Sequence, residues 1–334
     1  MATATLPSKP GILRSLRGAE KFAWFVVAYN VLVILWGALV RATGSGAGCG
    51  NHWPLCNGVV IPISPTLHTI IEFTHRQMVT LSVFTMIALV VWTWRSTVKG
   101  MAARVFVTLS GILLLNEAFL GAMLVKLGYV TGNQSTGRVI LLSIHLSNTL
   151  LLVAAMTTTA IMLGTSQRWS ELHARGTAKV GALLGLLSTL VVGVSGSLAA
   201  LGDTLFPADT LRAAFAQDID VNSPMLLRLR GIHPVSAFIA AACVSWLIVQ
   251  ARRQNLGKLA NWVIGLLAVQ FLLGIADVIL LAPTWMQIVH LLGADLLWIA
   301  LIVLTARRTV VPVGCPSSGP IGTSSTGKRQ CMGF

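Results

Sequence analysis

The chain contains 334 residues, of which 55% are hydrophobic and only 10% are charged. Soluble domains carry about 25% charged residues, so this composition favours a membrane protein and excludes an ordinary soluble domain. The net charge of +14 does not indicate a nucleic-acid-binding protein. Lysine and arginine lie in short loops between apolar segments, and no basic stripe interleaved with aromatic residues is present.

Eight apolar segments are long enough for membrane-spanning helices, which need about 20 apolar residues each. The first follows a basic stretch without a nearby small-residue cleavage site, so we expect a retained helix rather than a removed signal peptide. The spans are predicted at roughly 22–41, 68–94, 104–127, 138–164, 178–202, 227–251, 261–282 and 285–306.

The basic residues predict the orientation of these helices. Most of the 24 lysines and arginines lie before helix 1, in the loops after helices 2, 4 and 6, and after helix 8. Because cytoplasmic loops are enriched in lysine and arginine, both termini are predicted to be cytoplasmic. The protein is therefore expected to be a multi-pass protein of the cell membrane, in contact with the lipid bilayer.

Two long loops are then predicted on the outer side. Residues 42–67 are rich in glycine and contain Cys49 and Cys56. Residues 203–226 are more acidic and favour a short amphipathic helix at about 209–217. The tail beyond Pro312 is rich in Gly, Ser, Thr and Pro, which is typical of disorder.

Helices 1–4 and 5–8 show the same order of short motifs, which predicts two pseudo-symmetric four-helix bundles. A four-helix repeat that keeps its membrane orientation gives parallel halves related by an axis along the membrane normal. The expected boundaries are 1–21 (cytoplasmic segment), 22–164 (first bundle), 165–177 (linker), 178–306 (second bundle) and 307–334 (disordered tail). The matching motifs are Thr74-His75-Arg76 with Ile232-His233-Pro234, Leu120-Gly121-Ala122 with Leu273-Gly274-Ile275, and Ile144-His145-Leu146 with Val289-His290-Leu291.

Four histidines, His75, His145, His233 and His290, lie inside these apolar spans, two in each half. Ionisable side chains are costly in a bilayer, so a shared function explains them better than four separate ones. Each lies roughly 8–12 Å from the outer end of its helix, given the 1.5 Å rise per residue. Two imidazoles at one depth can bind a haem iron from opposite sides, which predicts one bis-histidine haem site in each bundle. A structural role remains open for any single histidine, whereas zinc would need four ligands converging on one point.

Glu72 makes the two histidine pairs chemically different. It precedes His75 by three residues and therefore shares its helix face, whereas Arg230 occupies the matching position before His233. A carboxylate there could orient or deprotonate a water, or stabilise developing positive charge. The alternative is a simple ion pair with Arg76.

Three arginines near the histidines are candidates for binding haem propionates, because the guanidinium group matches carboxylates well. They are Arg76, Arg228 and Arg230. The sequence alone assigns no role to the intramembrane acids Glu117, Asp277 and Asp295.

The segments Ile71–Arg76, Gly44–Cys49, Trp53–Cys56 and Leu229–Pro234 closely resemble haem A synthase, and the resemblance extends over roughly 22–306. It implies oxidation of the C8 methyl of haem O to the formyl group of haem A, by successive hydroxylations and loss of water. It further implies that His75 and His145 hold the substrate haem, that His233 and His290 hold haem b, and that Glu72 is catalytic. Cys49 and Cys56 would form a disulfide, structural or redox-active. Some family members have a second cysteine pair, but residues 203–230 of this chain contain no cysteine.

Two other functions remain open beside haem A synthesis. One is a quinol-linked di-haem b electron-transfer protein, and the other is a haem transport or assembly factor. The expected partners are haem O, a haem O synthase and an electron-transfer protein, and the chain could form a homo-oligomer. No metal other than haem iron is predicted.

Overall fold

A computed structural model of the protein describes residues 10–169 and 176–309. These residues form α-helices and no β-strand, and one 3₁₀ turn lies at Ser45–Ala47. The helices are α1 (Pro10–Ala42), α2 (Leu67–Ser96), α3 (Ala102–Lys126), α4 (Thr136–Thr165), α5 (Gly176–Leu205), α6 (Leu211–Ile219), α7 (Met225–Arg230), α8 (Ile232–Arg252), α9 (Gly257–Ile279) and α10 (Thr284–Thr309).

Eight stretches of helix are long and apolar enough to cross a membrane, which confirms the eight predicted spans. Helix α1 begins at Pro10, about three turns before the predicted start of its apolar segment. Proline suits the first turn of a helix, because its missing N–H would have no intrahelical partner there. The predicted disordered tail lies almost entirely outside the described residues.

The second acidic loop and the sixth span differ in detail from a simple helix. The predicted amphipathic helix is present as α6, and the Thr210 hydroxyl caps it by accepting the N–H of Ala213 at 3.2 Å. The predicted span 227–251 is divided into α7 and α8 at Gly231. Pro234 has no N–H to donate to the carbonyl of Arg230 four residues earlier, so the helical hydrogen bonding is interrupted at this point.

The packing of the helices repeats between the two halves. Helix α1 contacts α2, α2 contacts α3, and α3 contacts α4; in the second half α5, α8, α9 and α10 make the same series of contacts. Helices α1, α4, α5 and α10 provide the contacts between the halves. In the centre of this interface the indole N–H of Trp298 donates to the carbonyl of Leu150 at 2.8 Å. The arrangement agrees with the predicted pair of four-helix bundles, while their boundaries along the chain remain predictions.

We refer to the end of the molecule that carries residues 43–66 and α6 as the cysteine-loop end. Helix α2 starts there because the hydroxyl of Thr66 accepts the N–H of Thr69 at 3.2 Å. This cap fixes Glu72 and His75 in the second and third turns of α2, close to the loop. The four predicted ligand histidines lie towards this end of helices α2, α4, α8 and α10.

Candidate functional site

Each of the four histidines packs against a glycine of a neighbouring helix. The absence of a side chain lets an imidazole approach the helix backbone, as small residues do at other membrane helix contacts. A Cβ atom built on the glycine would lie 2.8–3.7 Å from the Cε1 atom of the histidine ring. The pairs are Gly37 with His75, Gly121 with His145, Gly196 with His233, and Gly274 with His290.

The first pair, His75 and His145, has ring nitrogens that protein hydrogen bonds do not satisfy. The Nδ1 atoms of both rings are buried without a hydrogen-bond partner among the described residues. The Nδ1 atom of His145 lies 3.3 Å from Oε1 of Glu117, within ion-pair distance but not aligned as a hydrogen bond. Structural histidines in a membrane interior are expected to be hydrogen-bonded. The observation therefore favours the ligand interpretation for this pair.

The second pair, His233 and His290, lies face to edge with ring centroids 6.3 Å apart and ring planes at 87°. Two imidazoles that bind one ion from opposite sides have their nitrogens about 4 Å apart and their ring centres roughly 6 Å apart. The centroid separation is close to that expected for two imidazoles that would hold one iron between them. The hydroxyl of Ser195 lies 3.3 Å from Nδ1 of His233, and the side chain of Gln270 lies against the ring of His290.

The composition of the donor groups also fits iron that is already held by a porphyrin. The described residues contain no cluster of three or more His, Cys, Asp or Glu side chains that could hold a metal ion. The histidines come instead in pairs, and a porphyrin supplies four further ligands to its iron. Two histidines would then complete the coordination of the iron.

Glu72 is buried, with 3% of its surface exposed, and it connects α2 to the cysteine loop. Its Oε2 accepts the backbone N–H of Cys49 at 2.7 Å, and its Oε1 pairs with the guanidinium of Arg76 at 2.6 Å. Arg76 also donates to the carbonyls of His52 and Leu55, each at 2.7 Å. The alternative ion pair with Arg76 is therefore present. It leaves lone pairs on the carboxylate, so it is compatible with a catalytic role, which remains a prediction.

Cys49 and Cys56 form a disulfide, and both are buried. The loop also packs tightly on the start of α2, because a Cβ on Gly48 would collide with the carbonyl group of His68. The hydroxyl of Thr69 donates to the carbonyl of Gly48 at 2.9 Å. The cysteine loop is thus fixed above α2 by a covalent bond, backbone contacts and the Glu72–Arg76 pair.

Two of the three candidate propionate-binding arginines already hold the polypeptide in place. Arg76 binds the cysteine loop, and Arg230 pairs with Asp203 and Asp218, at 2.7 Å each, joining α7 to α5 and α6. Arg228 is exposed, and its side chain makes no hydrogen bond to the described residues. The propionate role remains a prediction for all three, and Arg228 has the most donors available for it.

The sequence did not single out Arg41, which links the two halves. Its guanidinium donates to the carbonyl of Ala200 at 2.7 Å, to the hydroxyl of Thr204 at 2.9 Å and to the side chain of Gln287 at 2.8 Å. Arg41 lies one helical turn after Gly37, which contacts His75. Ala200 similarly follows, by one turn, the glycine that contacts His233. Arg41 is therefore positioned between the two histidine pairs, and its place at the end of an apolar span was its only sequence signal.

Comparison with known proteins agrees with these features. The family model of the cytochrome oxidase assembly protein COX15-CtaA matches residues 20–302. A protoheme IX farnesyltransferase of Thermus thermophilus is 41% identical over 289 residues, which is 85% of this chain and 47% of that protein. The heme A synthase of an Exiguobacterium species is 32% identical over 154 residues, covering 46% of this chain and 48% of its own. The heme A synthase of Bacillus licheniformis is 41% identical over 98 residues, 29% of this chain and 32% of the relative.

The chain spans about half the length, or less, of these curated relatives. The family match nevertheless covers most of the chain, including all four histidines, Glu72 and the cysteine loop. The eight apolar helices agree with a multi-pass membrane protein. The chain therefore belongs to the cytochrome oxidase assembly protein family COX15-CtaA, the haem A synthase family that its motifs predicted.

Proposed function

We propose that the protein is a haem A synthase, which oxidises the C8 methyl group of haem O to a formyl group by successive hydroxylations and loss of water. The observation that carries the proposal is the chemical difference between two similar histidine pairs. The first has a buried carboxylate, Glu72, three residues before His75 and directly below the disulfide loop. The second has Arg230 at the matching position.

In this proposal His75 and His145 hold the iron of the substrate haem in the first bundle. His233 and His290 hold haem b in the second bundle, and their 6.3 Å ring separation supports the assignment. When bound, haem b would supply one-electron transfer. In both bundles each of these histidines packs against a glycine of a neighbouring helix.

Glu72 would act through the lone pairs that Cys49 and Arg76 leave available. The backbone N–H of Cys49 and the guanidinium of Arg76 hold the two carboxylate oxygens in fixed positions. A carboxylate held in this way can accept a proton from a water molecule or stabilise positive charge at the substrate. Glu72 is buried beneath the cysteine loop, and a buried position strengthens such interactions.

The Thermus relative is a protoheme IX farnesyltransferase, which raises farnesyl transfer as a second candidate. This chain matches 47% of that protein, and the family match lies within the same part of this chain. More than half of the relative is therefore left to carry the transferase activity. We propose that a farnesyltransferase acts as a partner, because its apolar product would cross water unfavourably and a direct transfer avoids this.

The difference between the two sites also weighs against the other candidates. A quinol-linked electron carrier needs no carboxylate beside one haem alone, and a transport factor would need haem ligands that release readily. The electron-transfer partner and a homo-oligomer remain predictions.

Pigment analysis tests the proposal directly. The protein is expressed in a host that makes haem O but no haem A, and the haems of the purified membrane fraction are extracted and separated. Haem A should appear only when the protein is present, with the empty vector as control. Haem B and unaltered haem O alone, from a well-folded preparation, would contradict the proposal.

A further inference from the structure

The two halves differ in a second residue, which lies next to the histidines of α4 and α10. Glu117 and Gln270 occupy matching positions, each four residues before the glycine that contacts a histidine. Both side chains reach the histidine of the neighbouring helix. Glu117 lies 3.3 Å from Nδ1 of His145, and Nε2 of Gln270 lies 3.3 Å from Nδ1 of His290.

In the first half, polar side chains of α4 hold the carboxylate in place. The hydroxyl of Thr149 donates to Oε1 of Glu117, and the amide of Asn148 donates to Oε2 at 2.5 Å. The amide of Asn148 also donates to the carbonyl of Leu113, and its oxygen accepts from Asn116. The network supplies two donors to the carboxylate and holds it 3.3 Å from Nδ1 of His145, at ion-pair distance but without an aligned hydrogen bond.

In the second half this support is absent from the matching positions. Gly293 and Ala294 replace Asn148 and Thr149, and neither has a side-chain donor. A Cβ on Gly293 would collide with Oε1 of Gln270, so the glycine provides the space for the amide. The amide nitrogen of Gln270 donates to the carbonyl of His290 at 3.1 Å. The group closest to the ring is therefore a neutral donor rather than an anionic acceptor.

This difference bears on how strongly each histidine binds a metal. A histidine that ligates through one nitrogen usually donates its other N–H to a carboxylate or carbonyl, which fixes the tautomer and raises the basicity of the ligand. Glu117 places a carboxylate oxygen 3.3 Å from Nδ1 of His145, close enough to accept its N–H once the ring is aligned, whereas the Gln270 atom nearest the His290 ring is the amide nitrogen. A more basic axial ligand favours the ferric over the ferrous iron, because it donates more charge.

We propose that Glu117 is a positioning residue that orients His145 and strengthens it as an axial ligand, so that the first iron site has a lower reduction potential than the second. The inference rests on the proposed function, which makes His145 and His290 iron ligands. It extends that function by giving Glu117, Asn148 and Thr149 a role, and by predicting which of the two irons has the lower reduction potential.

The test compares Glu117→Gln and Gln270→Glu in the purified, haem-loaded protein. Glu117→Gln should raise the midpoint potential of the first-site haem, by about 59 mV for each tenfold change in the ratio of ferric to ferrous affinity. It should also weaken haem binding at this site by about 10–100-fold, the usual cost of losing such a partner. Gln270→Glu should shift the second-site potential downwards, and Glu117→Asp should retain part of the wild-type value.

Optical redox titration and the electron paramagnetic resonance of the low-spin haems measure these changes, and His145→Ala and His290→Ala identify which signal belongs to which site. Unchanged potential and resonance in a haem-replete Glu117→Gln protein would overturn the inference, because a purely structural role leaves them unmoved. If the Glu117→Gln protein does not accumulate, the midpoint potentials of the folded Glu117→Asp and Gln270→Glu proteins provide the test instead. If His145→Ala removes no haem signal, His145 is not an iron ligand and the proposed function fails. This result differs from unchanged potentials in Glu117→Gln, which would contradict only the role of Glu117.

Discussion

Glu72 joins the cysteine loop to the helix that carries His75. Its two oxygens bind groups on either side, the Cys49 N–H and the Arg76 guanidinium, and Arg76 continues the connection to two loop carbonyls. A residue with this position can affect both the loop and the chemistry below it. The two effects can be separated by one substitution that removes only the charge and another that removes the whole carboxylate side chain.

Glu72→Gln and Glu72→Ala form such a pair. We expect Glu72→Ala to keep haem at both sites but to stop oxidation, because the carboxylate is lost while the histidines are unchanged. Glu72→Gln should retain an acceptor for the Cys49 N–H and hold the loop, and it should still lose oxidation. Haem extraction and the absorption spectrum of the purified variants measure both properties. Full activity in either variant would remove Glu72 from the mechanism.

At this scale the sequence predicted the residues but not their contacts. The histidines and Glu72 were recognisable because ionisable groups are costly in apolar spans. The positions of Glu117 beside His145, and of Arg41 between the halves, depend on which helices are neighbours. A hydropathy pattern does not contain that information, because lipid-facing and helix-facing surfaces are both apolar.

The contact between glycine and histidine is the feature that recurs at the level of the helices. It appears once for each ligand helix, and the partners are α1, α3, α5 and α9. The four contacts are not equally tight. A Cβ on Gly196 would lie 2.8 Å from the ring of His233, whereas a Cβ on Gly121 would lie 3.7 Å from the ring of His145.

Alanine substitution at these two glycines should therefore give different results. Gly196→Ala is expected to displace the imidazole of His233 and reduce the haem content of the second site by more than half. Gly121→Ala adds a methyl group at ordinary van der Waals distance, so haem content should remain close to that of the wild type. Haem-to-protein ratios of both variants provide the measurement, and equal losses would show that the ring contact does not control binding.

The cysteine loop has several attachments, so the disulfide should not be required for helix packing. In Cys49→Ser/Cys56→Ser we expect the helices to remain assembled, because Arg76 and Thr69 still bind loop carbonyls. Circular dichroism should be unchanged, while mass spectrometry of the unreduced wild-type protein should show the bond that the variant lacks. A loss of helical signal in the variant would mean that the polar contacts alone are insufficient.

The sequence predicted one helix where the structure has two, α7 and α8. The apolar content of residues 225–252 is continuous, so hydropathy predicts one span. Gly231 and Pro234 were visible in the sequence, but a proline inside a membrane helix is compatible with either a kink or a break. The hydrogen bonds of Arg230 with Asp203 and Asp218 hold α7 against α5 and α6, and these pairs could not be predicted from spacing.

For the whole molecule, the eight helices and the repeat of a four-helix unit were predicted from the sequence, whereas the interface between the halves was not. That interface combines an apolar cluster of Leu150, Val153, Trp298 and Ile302 with the polar contacts of Arg41. The cluster lies on helices whose outer surfaces have the same composition. Only the matched order of motifs indicated that the halves would pair in parallel.

Arg41→Ala should weaken this interface. It would leave the Ala200 carbonyl and the Gln287 side chain without their donor, and a hydrogen bond to a charged group contributes about 1.5–3 kcal/mol. We expect a lower apparent melting temperature in detergent and a decrease in haem at both sites. Arg253→Ala serves as the control, because Arg253 is exposed and lies outside the candidate haem sites, so the melting temperature should remain unchanged. Equal melting temperatures for the two variants would contradict the bridging role.

A unit of four crossings begins and ends on the same side of the bilayer. Two such units can be joined in tandem through a short connection, without an extra helix, and the second unit keeps the orientation of the first. A symmetric dimer of identical units could also form such an interface, but each substitution would then appear in both copies. Within one polypeptide the matched positions can diverge independently. The position of Glu72 in the first half is occupied by Arg230 in the second, and the position of Glu117 is occupied by Gln270. Joining the copies is therefore what permits one molecule to keep two similar histidine pairs and surround them with different side chains.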